Sequence, residues 1–196
     1  MLNKERQEEV VELCQHLIQK QSYSGHEDGV AGVLEEQLKK KGFDSVTVDK
    51  YGNVIGCIKG NRPGKKILFD GHIDTVPVTD ETEWQYPPFA AEIHDGKIYG
   101  RGTSDMKGAV AGFVTAAAAF AEDTKKDFAG EIYVAGVVHE ECFEGVAARE
   151  ISNFVKPDYV VIGEASQLNI KIGQRGRGEI VLETFGKPCH SANPEK

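Results

Sequence analysis

His72 and Asp74 stand two residues apart in GHIDTVP (71–77), and in an extended segment residues two apart share a face. An imidazole beside a carboxylate suits a metal-ligating histidine, which hands its second N–H to an acid that fixes its tautomer. A structural histidine next to a turn aspartate is the plainer alternative. Asp105 lies in GRGTSDMKG (100–108), whose glycines let the backbone turn sharply and aim an acid. Capping the alanine-rich helix that follows is its other reading. Glu140 and Glu141 adjoin in VVHEECFEG (137–145), and Glu164 follows in GEAS (163–166). Close like charges raise one another's pKa unless a cation sits between them. Taken alone, a pair of glutamates is a solvated loop.

The elements that must hold these residues change that reading. Val10, Leu13, Cys14, Leu17 and Ile18 recur at helical spacing and predict a helix over 4–20. Ser24 and Glu27 form a capping-box pattern, so a second helix is expected to start near Ser24 and to stop at Gly42. Strands are expected near 44–50, 53–59, 66–70, 130–138 and 158–162, and a hairpin turning at Asp95-Gly96. Helices are expected over 107–122 and 145–154, then strands over 169–175 and 178–186. The pattern predicts an α/β fold: a mixed, mostly parallel sheet flanked by helices over 1–172, with a change of architecture near 170 that suggests a second domain beginning over 173–196. In such a sheet the ligand crevice lies beyond the carboxyl ends of the strands. His72 with Asp74, Asp105, Glu140 with Glu141, and Glu164 all fall just past strand ends. Four strands delivering imidazole or acid to one edge argue a shared site. Converging carboxylates stay ionised only with cations between them, and one imidazole among several acids suits zinc, with cobalt or manganese as alternatives, better than calcium.

Other motifs fall away. The GxG at 100–102 lacks its third glycine, and no GKS or GKT follows. In His139-Glu140-Glu141, Phe143 stands where HExxH needs its second histidine. Cys14, Cys57, Cys142 and Cys189 form no CxxC pair, and Cys57, Cys142 and Cys189 read as packing residues rather than nucleophiles. His16, His26 and His94 lack an acidic partner of the kind Asp74 offers and read as structural. The net charge of −8 argues against nonspecific nucleic-acid binding. No apolar run is long enough to span a bilayer, and the charged N-terminus is unlike a signal peptide, so a cytoplasmic protein is expected.

Taken together, GHIDTVP, GRGTSDMKG, HEE and GEAS resemble the co-catalytic zinc peptidase and deacylase family, which includes acetylornithine deacetylase, succinyl-diaminopimelate desuccinylase, aminoacylase and glutamate carboxypeptidase. The resemblance implies two divalent metal ions. His72, Asp105 and Glu164 would hold one, and Asp105 and Glu141 the other, with Asp105 bridging. It implies Glu140 as general base, Asp74 as the residue orienting His72, and a cis peptide after Asp105. The reaction implied is cleavage of an amide in an N-acyl amino acid or dipeptide-like substrate by metal-activated water. GKPCHSANPEK (186–196) resembles the family's lid or dimerisation domain, which implies that a small α+β lid begins over 173–196 and that His190 would reach the active site of a partner subunit in a homodimer. GQRGRGEI (173–180) is similar to the selenium-metabolism-linked hydrolases, although Arg175 and Arg177 read better as exposed strand arginines than as ligands of a substrate carboxylate. Family members are longer, and the histidine they supply to the second metal near their C-terminus has no counterpart here. The 196-residue chain is therefore expected to be the N-terminal portion of such an enzyme, weak or inactive alone. A non-catalytic metal-binding or interaction module is the alternative reading.

Overall fold

The structure is a computed structural model that describes residues 3–143, 145–173, 175, 176, 178, 180–183, 185 and 186. Helix α1 (Lys4–Ile18) starts where the Asn3 side chain accepts from the Arg6 amide at 2.9 Å. Leu13, Cys14, Leu17 and Ile18 of its apolar stripe are buried as the spacing predicts, while Val10 is half-buried. Helix α2 (Asp28–Lys40) buries Val30, Ala31, Leu34 and Leu38. Strands β1 (Ser45–Val48), β2 (Val54–Lys59) and β3 (Arg62–His72) follow, then the hairpin β4 (Glu92–His94) and β5 (Lys97–Tyr99). Asp95 and Gly96 both take positive φ at its turn, the geometry that Asp-Gly favours. Helix α3 (Gly108–Thr124), strand β6 (Ala129–Val137), the short helix α4 (Glu140–Phe143), helix α5 (Val146–Val155) and strand β7 (Tyr159–Ile162) complete the order.

The five-stranded sheet runs β1-β2-β6-β3-β7. Pairings β1/β2 and β2/β6 are antiparallel, while β6/β3 and β3/β7 are parallel, so the sheet is mixed. The parallel strands β3, β6 and β7 carry the site at their common carboxyl end. Valine, isoleucine and leucine fill the interior, with Val54, Ile58, Leu68 and Val134 fully or almost fully buried. Helix α2 comes close to the sheet because position 136 has no side chain: a Cβ there would lie 2.3 Å from Leu34 Cδ2. Within α3 the Thr115 hydroxyl is buried and finds no hydrogen-bond partner among the described residues. Valine has the same shape without that desolvated hydroxyl, so Thr115→Val is expected to stabilise the fold by about 1 kcal/mol in urea unfolding.

Three expectations are corrected. Helix α2 begins at Asp28, not near Ser24, and no side chain caps it. The capping-box residues are drawn elsewhere, as described below. A short helix at Glu140–Phe143, which the sequence pattern did not suggest, precedes α5. Among the described residues of 169–186 there is no strand. Ile170, Ile172, Ile180 and Leu182 are all at least 86% exposed, and without a pairing strand or a covering layer an apolar run gains nothing from extended pairing. Residues Met1–Ala165 form one compact unit and Ser166–Lys196 a second. In the second, the Ser166 hydroxyl donates to the Asn169 carbonyl at 2.7 Å. His190, Cys189 and Arg177 lie outside the described residues.

Candidate metal centre

His72 ends β3, and the chain then leaves the sheet through Ile73 and Asp74. The ring is 2% exposed, with Nδ1–H donating to the Asp74 carbonyl at 2.9 Å. That leaves Nε2 facing the crevice. Around it stand Asp105 Oδ1 at 2.8 Å, Glu164 Oε1 at 3.7 Å and Glu140 Oε2 at 4.0 Å. Each acid comes from a different strand end. Asp105 sits in the π-type turn Thr103–Lys107, and its bond to Met106 is cis. Its side chain faces His72, and the N-cap position of α3 is Lys107, so the capping alternative for Asp105 falls. Glu164 follows β7, and Glu140 and Glu141 begin α4 just past β6.

Two sets of ligand atoms lie within 4.8 Å of one another: His72 with Glu140 and Glu164, and His72 with Asp105 and Glu141. The four expected ligands, His72, Asp105, Glu141 and Glu164, are brought together, and Glu140, expected as an unligated base, stands among them rather than apart. Burial pushes the Glu140, Glu141 and Glu164 carboxyls above the ordinary range, and neighbouring acids add to it while His72 opposes it. For His72, burial acts downward, but the bonds to Asp74 and Asp105 outweigh it and hold the ring at about 10. The group thus takes up protons where cations would relieve the same crowding. One imidazole with its Nε2 turned to the acids, its other nitrogen tied to a carbonyl, and four crowded carboxylates make a donor set that fits divalent metal ions.

Asp74 meets the His72 ring through its backbone carbonyl rather than through the carboxylate that the sequence suggested. Its carboxylate is fully buried and 3.5 Å from His72 Nδ1. Oδ1 accepts from the Glu140 amide and Oδ2 from the Glu141 amide, both at 3.1 Å. The Ser24 hydroxyl also donates to Oδ2, at 2.7 Å. Burial acts upward on Asp74, but these bonds keep its carboxyl below the ordinary range. The serine expected to cap α2 thus serves the site. Ser24→Ala should cost about 1 kcal/mol of stability, read by thermal unfolding of the metal-free protein, because Asp74 retains its other partners.

Sequence reasoning passed over three nearby groups. Asp70 lies on β3 two residues before His72, and burial lifts it to about 6, with Glu164 and Glu140 adding and His72 opposing. The same two-residue spacing that linked His72 to Asp74 reaches it. Lys107 is fully buried, and its Nζ donates to the Leu17 and Lys20 carbonyls, both at 2.9 Å, tying the turn that holds Asp105 to the end of α1. Glu27 carried a signal only as the partner of Ser24. His94 does have an acidic partner, Glu92 at 2.7 Å, and its ring stacks on Tyr86, a pairing within the β4–β5 segment.

An open α/β sheet whose parallel strand ends gather one imidazole and several carboxylates defines a candidate metal-binding domain. The chain belongs to peptidase family M20/M25/M40, whose model matches residues 68–195. It is 35% identical over 198 residues to succinyl-diaminopimelate desuccinylase 2 of Ruegeria sp. (strain TM1040), which covers 95% of this chain and 50% of that protein. The structure of the M20 family metallo-carboxypeptidase Sso-CP2 from Sulfolobus solfataricus matches with a TM-score of 0.69 and 25% identity, over 79% of this chain and 37% of that one. Bacillus subtilis YXEP protein, described as a dinuclear metal binding peptidase from the M20 family, shares the fold at 19% identity, with a TM-score of 0.58 over 78% of this chain and 40% of that one. The chain spans about half the length of the curated relatives it matches. Among the described residues no helix is long and apolar enough to cross a membrane.

Proposed function

We propose that this chain supplies the metal-binding part of an amidohydrolase acting on an N-acyl amino acid or a dipeptide-like amide. The observation that carries the reading is the approach of Asp105, Glu164 and Glu140 to the crevice-facing Nε2 of His72, within 2.8–4.0 Å. His72, Asp105 and Glu164 would hold one divalent ion, and Asp105 and Glu141 a second, zinc being the best match to this mixed donor set. When bound, such ions supply Lewis-acid activation of water and of the substrate carbonyl. The chain's own residues do the rest. Asp74 fixes the His72 ring through its carbonyl and the α4 backbone through its carboxylate. Glu140, lifted in pKa by burial, is suited to take a proton from water and return it to the departing amine. His190 would act in a partner subunit's site within a homodimer, and 173–196 would begin the lid.

Support comes from the family, from the desuccinylase and carboxypeptidase named above, and from the donor geometry. Elemental analysis of zinc-reconstituted protein tests it. Wild type should lose about one zinc per chain on Glu141→Gln substitution, as removal of a ligand from one of two sites requires. A metal content at or below one and unchanged by the substitution would sink the two-metal reading.

A further inference from the structure

Glu27 is 5% exposed, and a carboxylate so buried is costly unless it is bonded. Its Oε1 accepts from the His139 backbone amide at 3.0 Å and lies 3.5 Å from His139 Nδ1. The next two amides, of Glu140 and Glu141, donate to the two oxygens of Asp74. Two buried acids therefore grip three consecutive N–H groups, those of the very residues that lead from β6 into the crevice. The grip has something to hold. His139 has φ of 59°, the left-handed region that residues with a side chain seldom enter, and its conformation sets the direction of the two residues that follow. Glu27 also stands at the N-terminal end of the thirteen-residue helix α2, where the helix dipole favours a negative charge.

We propose that Glu27 is a positioning residue of the metal centre: with Asp74 it clamps the amides of His139, Glu140 and Glu141, and so aims both glutamate carboxylates at His72. The inference rests on the reading above for what the glutamates do, but not for where they are held. Asp74 takes only the second and third amides, and the first is left to Glu27. Glutamine at 27 keeps a carbonyl oxygen of the same reach, aspartate withdraws the charge by one methylene, and alanine removes the acceptor.

Amide hydrogen exchange in the metal-free protein is the test, with zinc titration beside it. Glu27→Ala should speed exchange at His139, Glu140 and Glu141 by about tenfold or more while the β6 amides keep their protection. Glu27→Asp should show the same selective loss to a smaller degree, and Glu27→Gln should restore exchange to within about threefold of wild type. Zinc affinity should fall about tenfold in Glu27→Ala and little in Glu27→Gln, the range seen when support behind a ligand is lost. Unchanged exchange at the three amides in Glu27→Ala or Glu27→Asp overturns the proposal. So does a loss spread evenly through β6 that glutamine fails to rescue, since that marks a general packing role. A wild-type protein that binds no zinc would defeat the metal reading and leave the exchange result to decide on Glu27.

Discussion

Replacing Asp74 by alanine is expected to lower the unfolding free energy by about 4 kcal/mol. The carboxylate is fully buried and accepts from two backbone amides and a serine hydroxyl, with the His72 ring 3.5 Å away. Alanine leaves those donors facing a hole, and each buried donor without a partner costs about 1–3 kcal/mol. Local relaxation and entering water keep the sum below the arithmetic maximum. Asparagine keeps one acceptor oxygen but places an NH2 group opposite an N–H or O–H donor, so its cost should fall between alanine and wild type, at about 2–3 kcal/mol. Urea unfolding of the metal-free proteins gives the order directly. The difference also carries a pH signature. Because the Asp74 carboxyl is held below the ordinary range, its contribution is complete above that range and is lost as pH falls through the lowered value. The gap between wild type and Asp74→Asn should accordingly narrow in acid. An Asp74→Asn protein as stable as wild type at neutral pH would show that the charge has no part in holding α4.

Much of this fold was legible because periodicity and burial agreed. The stripe Leu13, Cys14, Leu17 and Ile18 gave α1, and the Asp95-Gly96 turn gave the β4–β5 hairpin. The site was legible at the level of position, since strand ends could be found from apolar runs and four of those runs led into an acid or an imidazole. Contacts between distant segments were not legible. Ser24 and Glu27 matched a capping box, a local rule, yet Ser24 turns to Asp74 and Glu27 to His139, fifty and more residues away. A buried acid cluster with backbone amides to satisfy competes with a helix start for the same side chains, and here it wins. Helix α4 was missed for a related reason: its four residues are held from outside, by Asp74, rather than by their own propensity. The run at 169–186 failed the other way. Its alternation suggested strands, but pairing needs a partner, and the described residues there have none.

Substituting Glu140 by glutamine should separate stability from activity. The side chain is 37% exposed, and burial lifts its pKa, with Glu164, Asp74 and Asp105 adding to the lift and His72 opposing it. A carboxyl with a raised folded pKa keeps its proton to higher pH in the fold than in the unfolded chain, so its ionisation at neutral pH works against folding. Glutamine has nearly the same volume and no charge. The metal-free variant should thus match or exceed wild-type stability, by no more than about 1 kcal/mol once solvent screening at this partly exposed position is discounted. In any preparation that hydrolyses an N-acyl amino acid, kcat should fall by about 10²–10⁴, the usual worth of a positioned general base, with KM little changed. Zinc content distinguishes its two possible places in the site. Retention of both metals with loss of turnover assigns Glu140 to proton transfer, in contrast to Glu141→Gln. Loss of a metal would instead place Glu140 in the ligand set with His72 and Glu164, as their mutual approach allows, and the base would have to be sought among the remaining acids, Asp70 first.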